Sequence, residues 1–185
     1  MRLLFPLPLL FLILLFVALG GAGTQAQDMP KAAIATLDYA RILQASDAAK
    51  DIRRQVKLYQ DGFRKEFQTA EHRLRETEAE LKRQRKTASP EAFEKKRQKF
   101  KSQVVAVQRW GQDYKRQLDR AAKMAVAKVQ RAFIPIVKKL AGERGFNIVV
   151  DGSKVLFANR RIDVTDEVMV LLNQEIRTIA VSKPK

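Results

Sequence analysis

The chain has 185 residues, 46% of them apolar, with 36 Lys and Arg against 20 Asp and Glu, a formal net charge of +16 and a pI near 10.4. That apolar fraction excludes a wholly disordered chain. The absence of Cys excludes disulfides, thiolate nucleophiles, Cys-ligated metals and iron–sulfur clusters, and the single His72 excludes a multi-histidine metal site.

From Leu3 to Leu19 every residue except Pro6 and Pro8 is apolar; Arg2 precedes the run and small residues follow it to Ala26. This reads as a secretory signal over residues 1–26, cleaved before Gln27, with Thr24 and Ala26 supplying the small residues that such sites use. The competing reading, an uncleaved anchor, suits the run less well because it is short and carries two prolines. The expected mature chain keeps 35 basic and 20 acidic side chains, and +14 of its net +15 lies between residues 47 and 141. Two nearly neutral flanks thus bracket a strongly basic middle.

The first flank, residues 27–46, contains a strand-like run from Ala32 to Asp38. In the middle, Ile52, Val56, Tyr59, Phe63, Phe67, Ala70, Leu74 and Leu81 recur at a mean spacing near 3.6, which predicts an amphipathic helix from about Asp47 to Lys86. A second stripe, from Phe93 through Tyr114, Leu118, Ala125 and Val129 to Leu140, predicts another from Pro90 to about Ala141. Between them, Ser89 can cap the second helix, Pro90 suits its first position and Glu91 favours the positive end of its dipole. Residues 47–141 are therefore expected to form an antiparallel helical hairpin that turns near 86–90 and projects as an arm.

Leu58, Val105, Trp110, Met124 and Val126 lie off the pairing seams. Either they widen the stripe and pack within the hairpin, or they form an exposed apolar wall that holds a partner. Gly62 and Gly111, inside the helices, mark either bends or close helix approach. Pro135 predicts a kink where the arm enters the body.

The second flank, residues 142–185, reads as a β-hairpin, Phe146–Asp151 and Val155–Ala158 about the turn Gly152–Lys154, then a helix from about Asp166 to Ile179 capped by Thr165. The fold class is α+β, mostly α. Three short strands and one helix make a thin core, so the body is expected to need partners, most simply copies of itself. Ile34, Leu37, Ile148, Val150 and Leu156 are the strand residues expected to join them.

Catalytic chemistry is scarce. There is no glycine-rich phosphate loop and no metal-ligand spacing; His72, between Glu71 and Arg73, reads as a solvated helix residue. Asp38, Asp151 and Asp163 sit at strand ends, where turns and caps are their usual duties. Neither an enzyme nor a cofactor is expected. The pI suggests nucleic acid, but export would separate the protein from that target and acids interleave along the first helix.

The order of signal, strand, basic helical hairpin, strands and terminal helix resembles the Skp/OmpH family of periplasmic chaperones across the whole mature chain. The most specific stretch runs from Ile134-Pro135-Ile136-Val137 through Gly145-Phe146-Asn147-Ile148-Val149-Val150-Asp151 to Asp163-Val164-Thr165-Asp166-Glu167-Val168. Asp38 at the end of the first strand also fits, and Phe146-Asn147 departs mildly from the family's frequent Tyr-Asp. The resemblance implies a homotrimer whose strands merge into a small β-barrel, with three tentacles around a cavity that holds unfolded outer-membrane proteins without ATP. It also implies contact with lipopolysaccharide or an anionic membrane surface through basic tentacle residues. Here the tip offers Lys82, Arg83, Arg85, Lys86, Lys95, Lys96, Arg97, Lys99 and Lys101 against Glu91 and Glu94. A solvated coiled-coil end, and a structural envelope protein that bridges anionic lipid without clients, are the alternatives.

Overall fold

The computed structural model describes residues 30–185, so the expected signal over residues 1–26 lies outside the described residues. From Ala32 onward the chain forms one compact unit. It consists of strand β1 (Ile34–Leu37), helices α1 (Tyr39–Ala45), α2 (Asp47–Gln84) and α3 (Pro90–Arg144), strand β2 (Ile148–Asp151), two short 3-10 turns and helix α4 (Thr165–Glu175). Among the described residues no helix is long and apolar enough to cross a membrane.

Short polar side chains set the helix boundaries. Asp38 accepts the Arg41 amide at the start of α1, and Ser46 accepts the Ala49 amide at the start of α2. Ser89 accepts the Ala92 amide ahead of Pro90, and α3 ends on Gly145, whose φ of 76° is open to a residue without a side chain. The long helix runs on through Pro135, although its missing N–H deprives the Arg131 carbonyl of its partner.

The two long helices pack side by side in opposite directions. Phe63 stacks on Tyr114 with ring centroids 3.9 Å apart, Gly111 faces Phe67, and near the turn the Lys96 ammonium lies 2.5 Å from the Gln84 side-chain oxygen. Because α3 returns the chain to where α2 left it, β1 and β2 can pair in parallel, Ile34 opposite Ile148 through Leu37 opposite Asp151. The Asn147 side chain fixes that register by accepting the Ala33 amide at 2.8 Å.

The core sits where α1 and α4 meet the base of the long helices. Ile42, Ala48, Ile52, Val129, Leu140, Val164, Val168 and Leu172 are all buried. Between Arg53 and Asp113 no residue is buried, because two helices alone offer each other a single seam and no second layer.

Three expectations are corrected. Val155–Ala158 forms no strand: the Asp151 carboxylate accepts both the amide and the hydroxyl of Ser153, winding Gly152–Lys154 into a 3-10 turn that leads away from β2. The only sheet among the described residues is the β1–β2 pair, extended by a bridge from Thr36 to Asp163. Thr165 does not cap α4. Its amide and hydroxyl donate to Asp163 Oδ1, while its oxygen accepts the Asp38 amide at 2.9 Å and ties α4 to the end of β1. The terminal helix also stops at Glu175, short of Ile179.

Candidate functional site

The far end of the α2–α3 pair carries the expected cation cluster. Its side chains do not all stand free. Lys82 pairs with Glu78, Arg83 with Glu80 and Arg97 with Glu94, each one turn away on its own helix, while Lys96 reaches across to Gln84. Hydrogen bonds from Gln84 and Arg83 hold the Glu80 carboxyl below the usual carboxylate range, and those from Arg97 and Gln98 do the same for Glu94. Bonding to Glu94 in turn raises the Arg97 guanidinium. Arg85, Lys86, Lys95 and Lys99 make no ion pair among the described residues, so their charge is directed wholly to solvent. Lys101 is also exposed, near enough to Glu94 to favour its ionised form.

The five off-seam apolar residues divide. Leu58, Val105 and Met124 are exposed, at 68%, 52% and 61%. Trp110 and Val126 are not part of an outer wall. The Trp110 ring sits 4.8 Å from Phe63 and 6.0 Å from Phe67, and Val126 packs against the core. An indole that near the seam gains more from two aromatic faces than from water. The three exposed side chains form no continuous stripe: the helix pairing puts Val105 about 20 Å nearer the tip than Leu58, at ~1.5 Å per residue.

A continuous apolar surface lies instead on one flank of the seam, where the sequence shows only core-facing positions. Phe63, Phe67, Tyr114 and Leu118 floor a groove of about 850 Å³, with Gln60, Arg64, Gln108, Gln112, Lys115 and Asp119 along its sides. Gly111 opens it: a Cβ there would stand 2.9 Å from the Phe67 ring. Close approach, not bending, explains this glycine. Tyr114 donates its hydroxyl to the Tyr59 carbonyl at 3.0 Å, and burial raises its phenol above the ordinary value, helped by the nearby Glu66 and Tyr59. The signal for this surface was the clustering of Phe63, Phe67, Trp110 and Tyr114 at one level of the hairpin, which only the α2–α3 register reveals.

In the body, the residues expected to join copies are placed unequally. Ile34 and Ile148 are exposed, Val150 is half-buried and Leu156 is fully exposed beside Phe157 at 86%. Leu37 is buried within the chain's own core. Of the three strand-end carboxylates, Asp38 caps α1, Asp163 accepts the amide and hydroxyl of Thr165, and Asp151 holds the 3-10 turn, its carboxyl lowered by the Ser153 hydroxyl and amide. His72 is exposed, 3.5 Å from Glu76 on its own helix. Among the described residues no group of His, Cys, Asp and Glu could hold a metal ion.

The comparisons with known proteins agree with this architecture. A solved structure of a proposed outer membrane chaperone (OmpH-like) from Caulobacter crescentus superposes with a TM-score of 0.78 at 18% identity, over 85% of this chain and 93% of that one. No curated protein matches the sequence. The family model described as outer membrane protein (OmpH-like) matches residues 33–172, from the start of β1 into α4. Spanning strand, helical hairpin, strand and terminal helix together, that match places the chain in the OmpH-like family.

Proposed function

We propose that the protein is an ATP-independent holdase of the periplasm, exported by the cleaved leader over residues 1–26, that binds unfolded outer-membrane β-barrel proteins and prevents their aggregation. The carrying observation is the arm itself. It holds most of the net charge, leaves most of its tip cations without an ion pair and opens an aromatic groove on one flank. Diffuse positive charge attracts chains that are acidic overall, and apolar contacts without a fixed pocket hold many sequences weakly. Family membership and the fold of the Caulobacter protein support the same reading.

The body supports a homotrimer. A two-stranded sheet with Ile34, Ile148, Val149, Leu156 and Phe157 exposed leaves more apolar surface in water than so small a core can offset. Three copies would bury those side chains together and place three arms around one basic cavity. The unpaired tip cations Arg85, Lys86, Lys95 and Lys99 also suit lipopolysaccharide or an anionic membrane surface.

Dilution of a urea-unfolded outer-membrane β-barrel protein into buffer with the mature chain, without nucleotide, tests the reading. Light scattering should stay low near one trimer per client and rise when the chaperone is omitted. Equal turbidity with and without it would remove the holdase reading.

A further inference from the structure

The segment after α4, residues 176–185, is extended and lies along the base of the arm. It bonds to Gln55 and Tyr59 on α2 and Gln117 on α3, which helical periodicity places on the flank away from the aromatic groove. Besides bonds from Ile176 and Arg177 back to α4, four polar contacts from the long helices hold it, and each of those addresses its main chain. The Gln55 amide donates to the Ile179 carbonyl at 3.0 Å and accepts the Val181 N–H at 2.9 Å, as a neighbouring strand would. The Tyr59 hydroxyl donates to the Val181 carbonyl at 3.3 Å, and Gln117 accepts the Lys185 N–H at 3.1 Å. Gln55 is held in place: its amide also donates to Asp51, whose side chain is only 7% exposed.

From Ile179 to Ser182 the side chains alternate: Ile179 and Val181 are buried, whereas Ala180 and Ser182 are exposed. The alternation ends there, since Lys183 is exposed and Pro184 buried. Main-chain bonds plus apolar residues at alternate positions describe any β-strand and name no sequence. The segment is also poorly matched in charge, since Lys183 lies on a flank that already presents Arg120 and Lys128.

We propose that this flank is a strand-binding site, occupied here by the chain's own residues 176–185, and that an extended client segment with alternating apolar residues displaces them. The assignment of that occupant rests on the holdase reading above. A neutral or acidic strand offers the same main-chain atoms and apolar side chains without the repulsion, so it can compete with a tethered segment.

The full-length mature chain tests this with a fluorescent octapeptide of alternating valine and threonine, a glutamate at each end, and a control of the same composition with its valines consecutive. Releasing the tethered segment with Ile179→Asp and Val181→Asp should tighten binding of the alternating peptide about tenfold, because the occupied fraction no longer competes. Gln55→Leu in that background should abolish the gain, and the control peptide should bind weakly throughout. Affinity unchanged by release, or equal for both peptides, would overturn the proposal. A second reading needs no variant. Saturating alternating peptide should speed hydrogen exchange at the Val181 amide of the unmodified chain, whereas unchanged protection means that residues 176–185 are only a structural strap. Suppressed aggregation with no peptide binding ends this inference and leaves the holdase reading intact; peptide binding with no suppression leaves a strand-binding flank but removes the holdase reading and, with it, the client as occupant.

Discussion

A methyl group added at Gly62 meets nothing within 4 Å, whereas the same group at Gly111 meets the Phe67 ring at 2.9 Å. Alanine should gain ~1 kcal/mol of helix propensity at either position. Gly62→Ala should therefore raise the thermal midpoint, and Gly111→Ala should fall below it because moving a packed ring costs about 1–3 kcal/mol. Calorimetry of the pair checks the ordering. Tyr114 offers a second test. Its phenol is raised, so the bond to Tyr59 is fully present below the unfolded value of about 10 and is lost as pH rises through the higher folded value. Absorbance at alkaline pH should show a late-ionising tyrosine that Tyr114→Phe removes, together with about 1 kcal/mol of stability. Residue type alone announced neither behaviour: both glycines look the same in sequence, and what separates them is the residue across the seam.

The long helices were legible because their apolar residues keep one period for many turns and Ser89-Pro90 marks the break. The second flank was less so. Val155–Ala158 has strand-like composition, but a strand exists only with a partner, and the Asp151 carboxylate turns the chain away from the one nearby. Whether Trp110 packs within the hairpin or faces out was open in the sequence for a related reason: the choice depends on the register, which sets it against Phe63 and Phe67. That aromatic set predicts how the arm tolerates shortening. Deleting residues 68–109 and joining the ends through the native turn sequence 85–89 should leave a folded protein, since Phe63, Phe67, Trp110 and Tyr114 still close the hairpin. Client protection should fall sharply, as turbidity would show; full protection by the shortened chain would move the binding surface into the body. Leu156→Asp with Phe157→Asp should shift the mass seen by light scattering toward monomer while α-helical circular dichroism persists.

Because the net charge is concentrated in the middle of the chain, client capture should depend on ionic strength more than client release does. Exposed charges are screened beyond ~10 Å at 0.1 M salt, while apolar contacts weaken little. Stopped-flow capture should slow strongly in ~1 M salt. Lys95→Glu with Lys99→Glu should slow it at low salt without removing any ion pair of the tip. Equal capture rates in all three conditions would mean that long-range attraction plays no part.

The pairing of β1 with β2 also constrains the order in which the molecule can assemble. The contact between Ala33 and Asn147 spans 114 positions, and nearly everything between is the hairpin. Closing so long a loop as open chain is entropically costly, but once the two helices have zipped from their turn back toward the body the ends are already adjacent. The first strand, synthesised early, must therefore wait for the arm. On this view the arm is a folding device as well as a binding one: its local contacts form quickly, and they shorten an otherwise slow search for the sheet.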